Sequence, residues 1–194
     1  MRFAKDPIKK FQKLFKAAEA AVDGDHTAVT LATATPSGLP SARVVLLKSV
    51  DQRGFFFFTN YASRKAREIE ANPRAALCFY WRETGHQIRI EGTVTRASQE
   101  ESTAYFATRS RQSQIGAWAS HQSQPLEHRR DLIARFLKLQ AQFNRQPIPR
   151  PDFWGGYLLT PTRIEFWTNR KYRLHDRVVY ERQGEKWRAR RLNP

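Results

Sequence analysis

The stretch AVTLATATPSGLPSARVVLLKSVDQRGFFFFTN, residues 28–60, decides the fold. AVTLATAT (28–35) alternates in side-chain character, PSG (36–38) turns the chain, and ARVVLLK (42–48) runs back. DQRG (51–54) turns it again and FFFFT (55–59) is a third strand. Extended runs joined by short turns make a meander of antiparallel hairpins. Four Phe in a row fall far short of the ~20 apolar residues that cross a bilayer, so residues 55–58 are a buried strand. Within 42–48 the alternation sets Arg43, Val45 and Leu47 on one face and Val44, Leu46 and Lys48 on the other.

Upstream, apolar Ile8, Phe11, Leu14, Phe15 and Ala18 recur at helical spacing, which predicts an amphipathic helix over 7–22. Downstream, SRKAREIEAN (63–72) is a helix with Ser63 as N-cap and Pro73 as stop. RAALCFYW (74–81) and HQIRIEGTVTRA (86–97) are strands, the second with Gln87, Arg89 and Glu91 opposite Ile88 and Ile90. SQEESTAYFATR (98–109) opens with Ser98 and Glu101 in capping-box register. LEHRRDLIARFLKLQAQF (126–143) carries a stripe of Leu132, Phe136, Leu139 and Phe143. GYLLT, RIEFWT and RLHDRVVYER are closing strands, the last turning at QGEK into WRARRL. The order is helix, three strands, helix, two strands, two helices, and two or three strands. This is mainly β with α: an antiparallel barrel of six or so strands with helices packed on it. Residues 1–194 are expected to form one domain, with an N-terminal helical segment at 1–25 and a Pro-rich internal linker at 147–151.

Hydrophobic residues make up 40% and aromatics 12%, enough for a packed core. MRFAKDPIKKFQKLFK lacks the apolar core of a secretory signal. Cys78 is the only cysteine, which excludes an intrachain disulfide and a cysteine-based metal cluster and suits a reducing cytoplasm. The five histidines show no metal-ligand spacing, so no metal is expected. There is no GxSxG elbow, P-loop or GxGxxG. The net charge of +16 favours anionic, phosphate-bearing partners. The basic residues are dispersed, so nucleic acid is not expected to be the main partner.

Cations recur at the ends of elements. Lys48 closes an apolar strand, where it either snorkels to solvent or reaches a ligand across the sheet. Arg64 and Lys65 occupy a first helical turn, against the macrodipole, a placement that makes sense if an anion docks there. Tyr105 and Arg109 share a helix face, and Ser113 follows in a polar loop; together they suit a small phosphate pocket or are a basic helix end. Arg173, His175 and Arg177 in RLHDR sit at every second position, so a strand here points all three one way. They either face water or converge on an anion.

PSARVVLLK (40–48), FFFTNYASRKAREIEANPRAAL (56–77), QIRIEG (87–92), YFATRSRQSQIGAWASHQSQ (105–124), PRPDFWGGY (149–157), IEFW (164–167) and RLHDR (173–177) together resemble the pyridoxine (pyridoxamine) 5′-phosphate oxidases. The resemblance implies a split β-barrel that binds FMN, in a homodimer with its flavin sites at the interface. It implies oxidation of pyridoxamine or pyridoxine 5′-phosphate to pyridoxal 5′-phosphate, with O2 reoxidising the flavin. Carried over by position, FMN contacts fall on Arg43, Val44, Val45, Leu46, Leu47, Lys48, Phe58, Thr59, Arg64, Lys65, Gln87, Gln122, Ser123, Trp167 and Arg177. Substrate contacts fall on Lys48, Tyr105, Arg109, Ser113, Arg173 and His175, the last two also orienting the substrate for reaction. Phe58 stands where the family usually has Tyr, and Ser110 where proline is common, which is expected to loosen the substrate loop. The rivals are a phenazine-type flavin oxidase of the same fold, and a non-enzymatic basic module binding nucleic acid or pyridoxal phosphate.

Overall fold

The computed structural model describes residues 3–194; Met1 and Arg2 of the expected N-terminal segment lie outside the described residues. Among the described residues, five α-helices and nine strands follow in the order α1 (Pro7–Ala21), β1 (Ala28–Ala34), β2 (Pro40–Leu46), β3 (Ser49–Asp51), β4 (Gly54–Asn60), α2 (Arg64–Ala71), β5 (Arg74–Trp81), β6 (His86–Arg96), α3 (Gln99–Thr108), α4 (Arg111–Ala119), α5 (Arg129–Gln142), β7 (Trp154–Thr168), β8 (Asp176–Gln183) and β9 (Lys186–Leu192). All strand pairings are antiparallel. The sheet path is β2-β1-β5-β6-β7-β4-β3, with β8 on β7 and β9 on β8. Its two ends, β2 and β3, are consecutive in the chain and separated only by Leu47 and Lys48. The sheet therefore curls on itself, as expected of a split barrel.

The meander over 28–60 appears as predicted, with one addition. Residues 49–51 form β3, paired with β4, where the sequence suggested only the approach to a turn. Leu47 drives the break before it: its side chain is 2% exposed and its amide donates to Thr27 O, while the Lys48 amide donates to Phe56 O. The hydrogen bonds thus switch from one neighbour to another within two residues.

GYLLT and RIEFWT are one strand, not two. Pro161 lies between them, and β7 pairs β4 through Leu159 and takes up β8 only from Arg163. The missing proline amide falls where that side has no partner. On the other side the ladder with β6 shifts between Glu91 and Gly92, a bulge that absorbs one residue of β7. A Cβ at Gly92 would lie 2.1 Å from Thr160 O, so only glycine admits this approach.

The main core fills the curled sheet with Leu31, Phe55, Phe57, Leu77, Phe79, Ile88, Ile90, Leu159 and Ile164, each fully buried. Helix α1 closes one end. Asp6 caps it through the amides of Ile8 and Lys9, and Phe11 enters the core within 4.9 Å of the Phe55 ring and 5.2 Å of Phe79. A second cluster of Phe106, Ile115, Phe143, Ile148 and Trp154 gathers under α3, α4 and α5, with Phe136 and Leu139 of the predicted stripe packed against it and Leu132 half-buried. No helix among the described residues is long and apolar enough to cross a membrane.

Gly92→Ala tests the bulge. It should destabilise the protein by about 1–3 kcal/mol, the scale of forced overpacking, in a urea or thermal melt. Unchanged stability would mean that the two backbones can part at no cost.

Candidate active site

A cleft of about 530 Å³ opens along the edge of β2 that is not paired with β1. Arg43, Val44, Val45, Leu46 and Lys48 form one wall; Phe58, Thr59, Lys65 and Gln122 the floor; Tyr105, Arg109, Ser110, Ser113 and Trp154 the other wall. Ser63 caps α2, so Lys65 stands in its first turn. Its Nζ donates to Gln122 Oε1 at 2.9 Å and to Thr59 Oγ1 at 3.2 Å, and Thr59 Oγ1 donates to the same Gln122 oxygen at 2.9 Å. Arg109 ends α3, and its guanidinium lies 4.7 Å from the Trp154 ring centre. Phe58 stacks on Tyr105 at 3.9 Å and on Trp154 at 5.6 Å. The ring that replaces the expected Tyr thus belongs to an aromatic stack supporting Arg109.

Four cations line the cleft and no carboxylate does. Burial, then the charge of Arg43, pushes the Lys65 ammonium below its ordinary range. Burial lowers Arg109 as well, and its Nη1 is buried with no hydrogen-bond partner. An orphaned guanidinium N–H among like charges is the signature of a site that receives an anion.

Behind the cleft, Glu68 is 6% exposed. It accepts from Thr33 Oγ1 and Ser41 Oγ at 2.5 Å each, from Arg64 Nε at 2.8 Å and from Arg43 Nη2 at 3.2 Å. Burial alone would raise its pKa, but the hydrogen bonds from Ser41, Thr33 and Arg64 and the Arg64 charge hold it down to about 2. Arg64 is therefore turned back to Glu68 and does not line the cleft. Leu47 is in the core, and Ser123 is exposed outside the cleft with φ 67°.

The remaining site candidates form a separate group. Gln87, Trp167 and Arg177 lie in one row across β6, β7 and β8, and the His175 ring lies 4.5 Å from Trp167. None of them, nor Arg173, reaches the cleft of the same chain. The expectation that RLHDR is one strand is overturned. Lys171–Arg173 is a 3-10 turn with Tyr172 and Arg173 at φ 58° and 60°, and β8 starts only at Asp176. Asp176 pairs with Arg170 at 2.8 Å, and the Arg170 amide donates to His175 Nδ1 at 3.2 Å, which leaves Nε2 to carry the ring proton.

Ser113 also differs from expectation: it lies in the first turn of α4, not in a loop. Ser110 is the N-cap of that helix, receiving the Ser113 amide and donating to Ser113 Oγ at 2.9 Å. It anchors the segment that it was expected to loosen. Sequence reasoning missed Trp154 and Glu68. The signal at Trp154 was the Gly-Gly that follows it: a Cβ at Gly155 would meet the Tyr61 hydroxyl at 2.1 Å. No group of His, Cys, Asp or Glu that could hold a metal ion occurs among the described residues.

Residues 14–142 match the family model described as pyridoxamine 5′-phosphate oxidase, and residues 154–194 match that of the pyridoxine 5′-phosphate oxidase C-terminal dimerisation region. The pyridoxine/pyridoxamine 5′-phosphate oxidase of Rubrobacter xylanophilus is 58% identical over 97% of this chain and 87% of its own length. That of Myxococcus xanthus is 51% identical over 97% and 92%. Among solved structures, PhzG from Burkholderia lata, in complex with tetrahydrophenazine-1-carboxylic acid, superimposes with a TM-score of 0.94 at 37% identity, over 98% of this chain and 94% of that one. A pyridoxamine 5′-phosphate oxidase-related, FMN-binding protein of Nostoc punctiforme shares the fold, with a TM-score of 0.76 at 20% identity over 96% of each chain.

The depressed pKa of Glu68 has a pH signature. Its contribution to stability is complete above the ordinary value of 4.5 and is lost as pH falls through about 2. Glu68→Gln should therefore be less stable than the parent at neutral pH, with the gap closing across that acid window in pH-dependent denaturation. A gap independent of pH would place the effect in packing instead of charge.

Proposed function

The chain belongs to the pyridoxamine 5′-phosphate oxidase family, and from that premise we propose that it binds FMN and oxidises pyridoxamine and pyridoxine 5′-phosphates to pyridoxal 5′-phosphate. The observation that carries this reading is the cleft lined by Arg43, Lys48, Lys65 and Arg109, with no carboxylate and a buried Arg109 N–H left unpaired. Such a site fits ligands that bring phosphate. FMN held there would supply the two-electron oxidation at the substrate C4′ carbon, with O2 as the final acceptor giving H2O2 and water releasing NH3 from the amine.

The chain's own residues bind and orient. Lys65, helped by Arg43, holds the cofactor phosphate, while Arg64 braces Glu68 behind it; the edge of β2 from Val44 to Leu46, with Lys48, meets the ring system. Tyr105, Arg109 and Ser113 hold the substrate phosphate. Gln87, Trp167 and Arg177 complete the flavin site from a second copy of the chain, which suits a dimerisation region at 154–194 and the separation of the two residue groups. Arg173 and His175 orient the substrate, and the positive charge of Arg173 favours its unprotonated amine. Arg177 stabilises negative charge as it develops on the cofactor. Strand β7 pairs strands from both matched regions, which supports treating residues 1–194 as one working unit. A single cysteine, Cys78, suits a cytoplasmic location.

The likeness to PhzG favours a second reading, a flavin oxidase of a tricyclic substrate. An aerobic assay separates the two. Protein saturated with FMN and given pyridoxamine 5′-phosphate should form pyridoxal 5′-phosphate and H2O2 in equal amounts; flavin bound without product would favour the second reading. Lys65→Ala should weaken FMN by about 1–3 kcal/mol, the scale of a charge-assisted hydrogen bond, in a fluorescence titration; an unchanged affinity would move the phosphate elsewhere. Arg173→Ala should lower turnover and leave FMN affinity as it was, and unchanged turnover would remove Arg173 from the site.

A further inference from the structure

Glu165 stands on the outer face of β7 and is only 2% exposed, because arginines from three strands cover it. Arg177 of β8 reaches Oε1 with Nε at 2.9 Å and with Nη2 at 2.8 Å. Arg163 of β7 donates to Oε2 at 3.2 Å, and Arg89 of β6 stands 3.8 Å from the same oxygen. The Arg177 Nη1 donates to Asn193 O at 3.1 Å, so its guanidinium is held from two sides.

The three arginines do not depend on Glu165 equally. Arg163 and Arg89 also pair with Glu91, at 2.7 and 3.0 Å. Among the described residues, Arg177 has no carboxylate partner except Glu165. Neutralising Glu165 therefore leaves Arg89 and Arg163 with an anchor and strips Arg177 of its own. The Glu165 Oε1 between Nε and Nη2 and the Asn193 carbonyl on Nη1 together hold the guanidinium on two sides, which the carbonyl alone does not.

We propose that Glu165 is a positioning residue that holds Arg177 in the orientation in which it meets the flavin. This rests on the reading that Arg177 contacts FMN, and the test keeps the two apart. The FMN dissociation constant is measured by fluorescence titration of the apo dimer for the parent, Glu165→Gln, Arg177→Ala and the double variant. Glu165→Gln should weaken FMN about tenfold, the scale on which outer partners of a ligating side chain act. Arg177→Ala should weaken it at least as much, and the double variant should bind no more weakly than Arg177→Ala alone.

Multiplying effects in the double variant, or parent-like binding by Glu165→Gln, would overturn the positioning role while the Arg177 contact stands. Parent-like binding by Arg177→Ala would overturn both. If Glu165→Gln does not yield a folded dimer, Glu165→Asp, which keeps the charge on a shorter arm, enters the same cycle under the same criteria. If neither variant folds, Glu165 belongs to the stability of the sheet and the proposal falls.

Discussion

One segment of chain, from Pro40 to Asp51, has to serve neighbours at opposite ends of the sheet path. Its first part pairs with β1 and its last part with β4. Two residues make the transfer: Leu47 is drawn into the core, and Lys48 begins the bonding to Phe56. Because β2 leaves its second edge unpaired, the barrel opens there, and the opening is the cleft. The helices then fall into place around it: α2 starts beneath it, α3 ends in it with Arg109, and α4 begins at its rim with Ser110. The chemistry of the site follows from the geometry of closing a sheet with one bent strand.

What the sequence disclosed depended on how local the cause was. The hairpins over 28–60 and the capping box at Ser98 rest on neighbours a few residues apart, and both stand in the structure. GYLLT and RIEFWT read as separate strands, but whether the chain continues through Pro161 depends on which partner lies beside it, and β7 changes partners there. Arg173, His175 and Arg177 suggested a strand face because charges recur every second residue, but NRKYR, which ends in Arg173, is polar and turns with positive φ at Tyr172 and Arg173. Helix α4 was hidden in RQSQIGAWA, whose apolar residues are few and whose start is set by Ser110. Most of the candidate binding residues could be named, but their division into two groups could not, since it depends on which strand lies beside which.

Charge follows one plan on both sides of the sheet. Glu68 lies behind Arg43 and Arg64, and Glu165 lies beneath Arg177, Arg163 and Arg89. In each case the acid is buried and the bases face outward. A buried carboxylate without such partners would be costly, and guanidinium groups without the carboxylate would repel one another. The arrangement turns these five arginines into oriented donors.

The unpaired edge of β2 has a further consequence. Val44 is 65% exposed and Leu46 38% on a strand with open backbone groups. An apolar edge of this kind is a template for strand addition by any other extended chain. Whatever fills the cleft also hides that template. Occupancy of the cleft and protection of the sheet edge are therefore one and the same event.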